Sequence, residues 1–365
     1  MRTFEPRIAV VHDKLWQFGG GERVALALRE LWPGADLFTS TYDPRIAAAF
    51  GFDPVRATWL QRVPHLESAH HFFLPLYDRA FRSLDLSSYD LVISSSAMFA
   101  KSVRPPPSVP HLCYCHTPPR FLWDMRDEAI RELQSSAALK LAVTAMSHWL
   151  RRTDRFAASR VTHFVANSSH VAGRIHEHYG READVIYPPV SVGSLDRDFT
   201  RGHHVLVLAR LFPYKRVDLA IEACNRLRLP LEVVGEGSDR PRLESLAGPT
   251  ITFRGWVREE EKIDLIRHAR VLIAPQVEDF GIATVEAIAA GTPVLSLRAG
   301  GALEIIDEGV NGAFFNEQST EALVEALAMF DEDAFDRVAM HASVSRFSQE
   351  SFARAMRDCA TALLG

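Results

Sequence analysis

The stretch Ala274–Val294, which reads APQVEDFGIATVEAIAAGTPV, decides the fold of this chain. The apolar run before it, Val271 to Pro275, predicts a buried strand that ends in a polar loop. A run with helical periodicity follows, Gly291 ends that helix, and Pro293 opens the next apolar strand. Strand, loop, helix and strand in this order predict a parallel α/β sheet.

The loop from Glu278 to Gly281 is predicted to lie at the carboxyl end of a strand and at the N-terminus of a helix. Open α/β sheets bind ligands at that edge, and the first amides of a helix favour phosphate. Glu286 lies eight residues after Glu278, so the two carboxylates can reach different parts of one elongated ligand. A phosphate core with hydroxylated ends, as in a nucleotide sugar, fits this pattern. The alternative is structural: Glu286 pairs with an arginine in the core, and Glu278 with Asp279 forms a solvated turn.

Length and composition place the chain among ordinary globular proteins. Its 365 residues predict about two domains, and 47% of them are apolar and 24% charged. Residues 1–190 hold 22 basic and 19 acidic side chains, and the remainder holds 19 and 27, with no basic cluster that would indicate nucleic-acid binding. Four cysteines do not form a disulfide framework in a chain of this length, which predicts a reducing, cytoplasmic compartment. We see neither a signal peptide nor an apolar run of about 20 residues, and expect a soluble or peripheral protein.

The N-terminal part repeats the strand–loop–helix pattern. The strand Ile8–Val11 precedes three glycines, Gly19 to Gly21, and a helical run is predicted from Arg23 to Leu31. These are the parts of a phosphate or sugar cradle, although no GxGxxG fingerprint is present and the glycines could form only a tight turn. Further along, residues 55–82 mix aromatic and basic side chains. That segment is either an ordinary packed helical pair or a surface that contacts a membrane or a lipid-linked acceptor.

A histidine follows another predicted strand, His111–Cys115. His116 comes directly after the strand end and is fixed by two prolines, so it is well placed to reach a cleft. The alternative is a histidine satisfied by a nearby carbonyl group. Cys113 and Cys115 beside it lack a second Cys/His pair at metal-binding spacing, and we predict no metal there.

Two cations mark the start of the second half. Arg210 and Lys215 lie five residues apart where the strand His204–Ala209 turns toward a helix, and such a pair can clamp a diphosphate unless it is only solvated surface. The Gly235-Glu236-Gly237 stretch is a lone GxG and a weak cofactor signal.

Two of these stretches resemble a known family. EDFGIATVEAIAAGTPV resembles the signature of the retaining glycosyltransferases of family 4, which have the GT-B fold. HTPPRFLWD, residues 116–124, is similar to a segment of the bacterial O-antigen mannosyltransferases within that family. The resemblance implies an α/β protein of two Rossmann-like domains that face each other across a cleft. It places an acceptor-binding domain at 1–190, a nucleotide-sugar-binding domain at 191–345, and a C-terminal helix at 346–365 that crosses back to the first domain.

The resemblance also implies roles for individual residues. The residues that it makes catalytic are His116, Arg210, Lys215 and Glu278. Those that it places on the donor are Gly20, Gly21, Arg210, Lys215, Trp256, Val257, Glu278, Phe280, Gly281, Ile282 and Glu286. Glu278 would hold sugar hydroxyls, Glu286 the ribose hydroxyls, and the cations with the amides near Phe280 and Gly281 the leaving diphosphate. Arg120, Trp123 and Asp124 are implied to contact the acceptor or the sugar.

The expected reaction is a retaining, metal-independent hexosyl transfer without a cofactor. No Asp-x-Asp follows an apolar strand, since Asp196-Arg197-Asp198 falls in the predicted linker, which argues against the metal-dependent GT-A type. We find no convincing enzymic nucleophile, and the hypothesis is a same-face attack in which the donor phosphate accepts the acceptor's proton. The expected donor is a nucleotide-diphosphate sugar, with GDP-mannose as the preferred candidate. The expected acceptor is a saccharide or a lipid-linked oligosaccharide. A UDP-sugar donor, an epimerase or phosphorylase, and a non-catalytic nucleotide-sugar-binding protein remain the alternatives.

Overall fold

Two parallel β-sheets form the framework of the molecule. The computed structural model describes residues 6–64, 66, 73–126, 137–192 and 202–365 of the chain. The Asp196–Asp198 motif and part of segment 55–82 lie outside the described residues, as does part of residues 128–158, where the sequence predicts one or two long helices.

The first sheet has seven strands in the order β3-β2-β1-β4-β5-β6-β7, and all neighbours are parallel. Its strands are β1 Ile8–His12, β2 Asp36–Thr39, β3 Val55–Ala57, β4 Leu91–Ser96, β5 His111–Cys115, β6 His163–Ala166 and β7 Ala183–Val185. The described α-helices of this part are α1 Gly20–Leu31, α2 Pro44–Ala49, α3 Leu74–Arg82, α4 Ala137–Ser159 and α5 Ser169–Tyr179.

The second sheet has six strands in the order β10-β9-β8-β11-β12-β13, again all parallel. Its strands are β8 His204–Leu208, β9 Leu231–Val234, β10 Ile251–Gly255, β11 Ala269–Ala274, β12 Val294–Leu297 and β13 Gly312–Phe315. The α-helices that accompany it are α6 Val217–Leu227, α7 Arg240–Leu246, α8 Glu259–Arg267, α9 Ile282–Ala289, α10 Ala302–Ile305, α11 Thr320–Ala328 and α12 Arg337–Ser343.

The chain divides into two compact units. Residues 1–189 and 352–365 form the first unit, and residues 190–351 form the second. The last helix, α13 Gln349–Leu364, therefore runs from one unit into the other. Phe352, Met356 and Ala360 on this helix belong to the core of the first unit.

The strands form where the sequence predicts them because their apolar runs are continuous. All five residues of β1 are buried, as are all five of β5, which is expected for parallel strands covered by helices on both faces. The two Rossmann-like sheets of the predicted α/β class are confirmed. Among the described residues, none of the helices combines the length and apolarity needed to cross a bilayer.

Helix α1 starts earlier than the sequence suggests. It begins at Gly20, not at Arg23, so Gly20 and Gly21 form its first turn and not a free loop. The Glu22 carboxylate accepts a hydrogen bond from the Gly19 backbone N–H at 3.0 Å, which stabilises this early start. By contrast, the stretch Asn167-Ser168-Ser169 predicts a helix cap for the run from Val171 to His178, and that prediction is correct, because the Ser168 side chain of α5 accepts a hydrogen bond from the Val171 N–H.

The aromatic residues of segment 55–82 divide between core and surface. Tyr77 and Phe81 on α3 are 4% and 0% exposed and belong to the core, as does Leu60. Trp59 is 39% exposed. The described part of α3 therefore supports the packing interpretation of these aromatic side chains.

Each sheet has one point where the strand order reverses. In the first sheet it lies between β1 and β4, and in the second between β8 and β11. Open α/β sheets bind ligands beyond the carboxyl ends of the strands at such points. We therefore expect the predicted site residues to lie near these two strand ends.

Candidate active site

The reversal point of the second sheet holds the predicted diphosphate ligands. Lys215 closes a short 3-10 helix, Pro213–Lys215, after β8, and Glu278 lies in the loop after β11. The Lys215 Nζ lies 2.6 Å from Glu278 Oε1, although 63 residues separate them in the chain. Lys215 is buried, with 8% of its surface exposed. The fold thus brings together two of the four predicted catalytic residues.

Arg210 extends from the same strand end but is exposed. Its guanidinium donates to the Tyr214 hydroxyl at 3.2 Å and lies 5.6 Å from the centre of the Phe212 ring. Phe212 and Tyr214 stack at a ring separation of 6.1 Å. The two aromatic rings therefore support both cations of this turn, since Lys215 Nζ lies 5.3 Å from the Tyr214 ring.

Gln276 is a member of this cluster that the sequence analysis missed. It is 5% exposed, and its Nε2 donates to Glu278 Oε1 at 2.6 Å, the same oxygen that faces Lys215. Two donors on one oxygen hold the carboxylate of Glu278 in place. The signal was available, because Gln276 follows a buried strand end two residues before Glu278.

Glu286 lies on α9 and is paired as well. Both of its carboxylate oxygens accept from Lys262 Nζ at 3.0 Å, and Lys262 also lies 2.8 Å from Glu259. The side chain of Glu286 is 12% exposed. A structural partner for Glu286 was the alternative considered from the sequence, and the structure supplies a lysine in place of the arginine considered there.

The remaining predicted donor residues of the second unit lie in loops at the same edge or at the start of α9. Gly281 has φ +114° and is the residue before the helix, which begins at Ile282. The Phe280 side chain is buried and packs edge-on against Phe347 at 5.4 Å, so only its backbone is suited to a ligand. Trp256 and Val257 follow β10, and Trp256 is 73% exposed.

Two glycines allow neighbouring loops to approach these residues closely. The Gly301 N–H donates to the Glu278 carbonyl at 2.9 Å, and a Cβ on Gly301 would lie 2.4 Å from the Phe280 carbonyl oxygen. A Cβ on Gly237 would lie 2.1 Å from the Leu211 carbonyl oxygen. The lone GxG of the sequence therefore packs against the segment that carries Arg210.

The reversal point of the first sheet holds His116 and a buried polar cluster. His116 follows β5, and its Nε2 lies 2.7 Å from the Ser95 hydroxyl on β4. Ser95 also bonds His12 Nδ1 at 3.0 Å, and His12 Nε2 lies 3.9 Å from Glu22. The Asn167 side chain donates to the His116 carbonyl and fixes the backbone there. His12, Ser95 and Glu22 were not assigned roles from the sequence.

Asp13, the next residue after β1, has an architectural role. Its two carboxylate oxygens accept four backbone N–H groups at 2.6–2.8 Å, from Ala97, Met98, Phe99 and Ala100. The loop after β4 is therefore tied to the end of β1. This arrangement fixes Ser95 relative to His12.

The three predicted acceptor residues lie in the turn after β5. Trp123 donates through Nε1 to Asp154 at 2.9 Å and stacks on His178 at 4.8 Å, and Asp124 pairs with Arg174 and His178. Arg120 lies half-buried at the start of this turn. Trp123 and Asp124 thus have structural contacts within the unit, and their acceptor role stays a prediction.

Within the described residues, no three His, Cys, Asp or Glu side chains converge in a way that could hold a metal ion. Cys113 and Cys115 are buried in β5, and burial raises the pKa of the Cys113 thiol to about 12.

Both halves of the chain match family models of glycosyltransferases. Residues 18–193 match the family model described as Glycosyltransferase Family 4, and residues 199–345 match the model described as Glycosyl transferases group 1. The human alpha-1,3/1,6-mannosyltransferase ALG2 is 27% identical over 99% of this chain and 97% of its own length. A D-inositol 3-phosphate glycosyltransferase of Corynebacterium urealyticum is 32% identical over 45% of this chain and 40% of its own length.

Solved structures agree at the level of the fold. Anabaena Alr3699/HepE in complex with UDP and glucose superposes with a TM-score of 0.72 at 16% identity, covering 98% of this chain and 100% of that one. The apo form of the lipopolysaccharide outer core galactosyltransferase WaaB gives a TM-score of 0.64 at 16% identity, with coverage of 98% and 99%. With its two parallel sheets and the two family matches, the chain belongs to the glycosyltransferases of the GT-B fold.

Proposed function

We propose that this glycosyltransferase moves mannose from GDP-mannose to a saccharide or lipid-linked saccharide, with retention of the anomeric configuration and without a metal ion. One observation carries the proposal: Lys215 and Glu278 meet at the strand-order reversal of the second sheet, 2.6 Å apart, beside Arg210. Cations fixed at that place stabilise the charge that grows on a leaving diphosphate. Held by Lys215 and Gln276, Glu278 would accept hydrogen bonds from the transferred sugar.

In this mechanism the second unit binds the donor, and His116 is a catalytic residue by resemblance to the family. Glu286 would take the ribose hydroxyls while Lys262 keeps its charge compensated. The amides at the N-terminus of α9 and the two cations would take the diphosphate. The donor phosphate would accept the acceptor's proton on the same face, which accounts for retention without an enzymic nucleophile.

Mannose is favoured by sequence likeness. The ALG2 mannosyltransferase aligns over nearly the whole chain, and HTPPRFLWD resembles a segment of bacterial O-antigen mannosyltransferases. A UDP-sugar is the second candidate donor, because the HepE structures of the same fold contain UDP, UDP with glucose, or UDP-glucose. An O-antigen or other lipopolysaccharide acceptor rests on the HTPPRFLWD resemblance.

A nucleotide-binding experiment separates these donors. Thermal shifts would be measured with GDP, UDP and ADP on the wild type, on Glu286→Ala, and on Glu325→Ala, an exposed carboxylate of the same unit, as control. A nucleotide at 100 times its Kd adds about 2.7 kcal/mol of stability. We expect a shift with GDP that Glu286→Ala reduces and Glu325→Ala preserves.

Turnover then tests the reaction class. Release of GDP from GDP-mannose, unchanged by EDTA, together with an α-configured product, would support retaining and metal-independent transfer. A thermal shift with UDP alone would contradict mannose as the transferred sugar. Conversion of the sugar without nucleotide release would indicate an epimerase, and tight nucleotide binding without any turnover of GDP-mannose or UDP-glucose would indicate a binding protein.

We also propose that helix α4 contacts an anionic membrane surface. One side of its C-terminal half is packed, with Leu150 3% and Ala157 4% exposed. The other side presents two large apolar groups at helical spacing, since Trp149 and Phe156 are 47% and 49% exposed, and Met146, at the border of the two sides, is 45% exposed. Isolated apolar side chains on a surface are ordinary, but a periodic stripe of this size is not.

Cations surround the end of this stripe. The guanidinium groups of Arg82 and Arg104 lie 5.7 and 5.6 Å from the centre of the Phe156 ring. Burial, together with the charges of Arg82 and Arg160, lowers the pKa of Arg104, which shows how closely these cations are grouped. Apolar groups beside clustered arginines match a bilayer with anionic headgroups.

Vesicle sedimentation tests this contact. We expect binding to phosphatidylglycerol vesicles, weaker binding to phosphatidylcholine, and loss of binding in Trp149→Ser/Phe156→Ser. The control is Met329→Ser, an 85% exposed apolar residue of the second unit, which should bind like wild type. Equal binding by the double variant, or a concentration-dependent dimer that the double variant abolishes, would contradict a membrane contact.

A further inference from the structure

A chain of four side chains connects His116 to the first turn of helix α1. His116 Nε2 bonds the Ser95 hydroxyl at 2.7 Å, Ser95 bonds His12 Nδ1 at 3.0 Å, and His12 Nε2 faces Glu22 Oε1 at 3.9 Å. His12 is 4% exposed, Ser95 0% and Glu22 9%. These contacts come from β1, α1, β4 and the end of β5, so the fold itself assembles the chain.

The number of hydrogens on each group decides which group donates and which accepts at each contact of this chain. Burial opposes ionisation of Glu22, but its contact with His12 and its backbone hydrogen bonds, that from Gly19 included, together outweigh burial and hold the pKa of this carboxyl below its ordinary value. At 3.9 Å the carboxylate is too far for a hydrogen bond, but its negative charge favours the tautomer of His12 that has the hydrogen on the nearer nitrogen, Nε2. In a neutral His12 the other nitrogen, Nδ1, is then an acceptor.

The single hydrogen of the Ser95 hydroxyl then decides which nitrogen of His116 carries a hydrogen. A hydroxyl has one hydrogen, and Ser95 must donate it to the His12 Nδ1 acceptor. Its oxygen then accepts from His116, which requires a hydrogen on His116 Nε2. In a neutral imidazole this leaves the lone pair on Nδ1.

We infer that Glu22, His12 and Ser95 are positioning residues that hold His116 as the Nε2–H tautomer, with the lone pair on its Nδ1. The inference rests on the proposed role of His116 at the reacting sugar. Protonation of His12 would turn its Nδ1 into a donor, reverse the Ser95 hydroxyl, and shift the hydrogen of His116 to Nδ1. The chain is thus a tautomer switch as well as a support.

The glycine turn is attached to the same carboxylate. Glu22 Oε2 accepts from the Gly19 N–H at 3.0 Å, while Oε1 faces His12. A Cβ on Gly21 would lie 3.6 Å from His12 Cε1 and 3.7 Å from His116 Nε2. The turn predicted to approach the donor therefore packs directly on both imidazoles, and Glu22 couples its position to the hydrogen on His116.

Other ionisable groups near this chain have partners of their own. The Tyr114 ring lies 5.4 Å from His116, its hydroxyl donates to the Ile186 carbonyl, and burial raises its pKa. Asp13 accepts four backbone N–H groups of the loop after β4. Arg174 bonds Thr117, beside His116, and pairs with Asp124.

The test uses matched serines on one strand. Ser95→Ala removes both bonds of the chain, and Ser94→Ala is the control, because Ser94 makes an equivalent buried bond to His111 Nε2 at 2.8 Å. Glu22→Gln keeps the shape but replaces an obligate acceptor by a group that can also donate. The readouts are 15N histidine spectra, with the His116 signals identified by their loss in His116→Gln, together with kcat, the donor KM and thermal stability.

We expect wild-type His116 to show a hydrogen on Nε2, and Ser95→Ala and Glu22→Gln to show a mixture of tautomers. In those two variants kcat should fall about 10- to 100-fold, the effect size typical of outer partners that orient a histidine, with little change in the donor KM. Ser95→Thr should restore kcat, and Ser94→Ala should lose stability but keep kcat.

Two results would overturn the inference: a hydrogen on Nδ1 of His116 in the wild type at neutral pH, or wild-type spectra in Ser95→Ala. The spectra need no substrate, so they remain decisive if GDP-mannose proves not to be the donor. A fall in kcat without any spectral change would instead locate the effect of Ser95 outside the tautomer of His116, and would contradict the switch.

Discussion

Replacing Lys215 by methionine is expected to lower kcat/KM with the donor about 100- to 1000-fold, the loss typical of removing one preorganised donor to a developing oxyanion. Lys215 Nζ lies 2.6 Å from Glu278, and the side chain is nearly buried. Methionine fills a similar volume but leaves the Glu278 carboxylate without its cation. That carboxylate would then repel a diphosphate in addition to lacking the stabilising charge. Steady-state kinetics and GDP calorimetry measure both effects.

Matched variants distinguish this effect from general damage. Lys215→Arg keeps the charge and should retain part of the activity, and Arg226→Ala removes an exposed cation of the same unit that pairs with Glu321. Arg226→Ala should behave like wild type. Unchanged rates in both Lys215→Met and Arg210→Ala would refute the assignment of the diphosphate ligands.

The Lys101→Met variant is expected to destabilise the first unit by about 3–5 kcal/mol, the usual cost of leaving one member of a buried ion pair alone. Lys101 Nζ lies 2.6 Å from Asp154 Oδ1, and both side chains are 1% exposed. Asp154 also accepts from Trp123 Nε1 and the Tyr179 hydroxyl. Without the lysine, its carboxylate would remain buried with neutral donors alone.

Urea unfolding followed by tryptophan fluorescence measures this loss. Five of the six tryptophans lie in the first unit, so the signal reports mainly on that unit. Arg45→Ala, which breaks an exposed ion pair with Asp43 in the same unit, is the control and should cost little stability. The double variant Lys101→Met/Asp154→Leu should regain much of the stability. If it is as unstable as Lys101→Met, the unpaired buried carboxylate of Asp154 is not the cause of the loss.

The pH dependence of this pair follows from the pKa of Lys101. Burial lowers it, but the charge of Asp154 outweighs burial and the pKa is raised. A raised pKa in the folded state means that the contribution is complete below the unfolded value of about 10.4 and declines as the pH rises beyond it. Titration of Lys101 should therefore leave the stability of the wild-type protein unchanged near neutrality.

Local sequence patterns predicted the elements well because their signals are local. Continuous apolar runs predicted β1, β5 and β11, and the Asn167-Ser168-Ser169 stretch predicted the cap of α5. The start of α1 was wrong, since the interaction that fixes it is a side-chain bond of Glu22 to Gly19, and three glycines in a row disfavour a helix.

Contacts between distant residues were predicted less well. The resemblance placed Lys215 and Glu278 in one site, but the sequence could not indicate Lys262 as the partner of Glu286, 24 residues away. It also could not distinguish Ser94 from Ser95 in a run of three serines. Their opposite directions, toward His111 and toward His116, follow from the alternation of side chains along β4.

The course of helix α13 has a consequence for how the protein is made. Phe352, Met356 and Ala360 complete the core of the first unit, which otherwise consists of residues from the N-terminal half. A ribosome synthesises the whole second unit before these three residues emerge. Until then the core of the nascent first unit lacks the side chains that helix α13 contributes. The second unit, whose residues are contiguous, is complete nine residues earlier than Ala360. Order of synthesis and order of completion are therefore reversed, and a premature stop codon anywhere before Phe352 would damage the unit that was translated first.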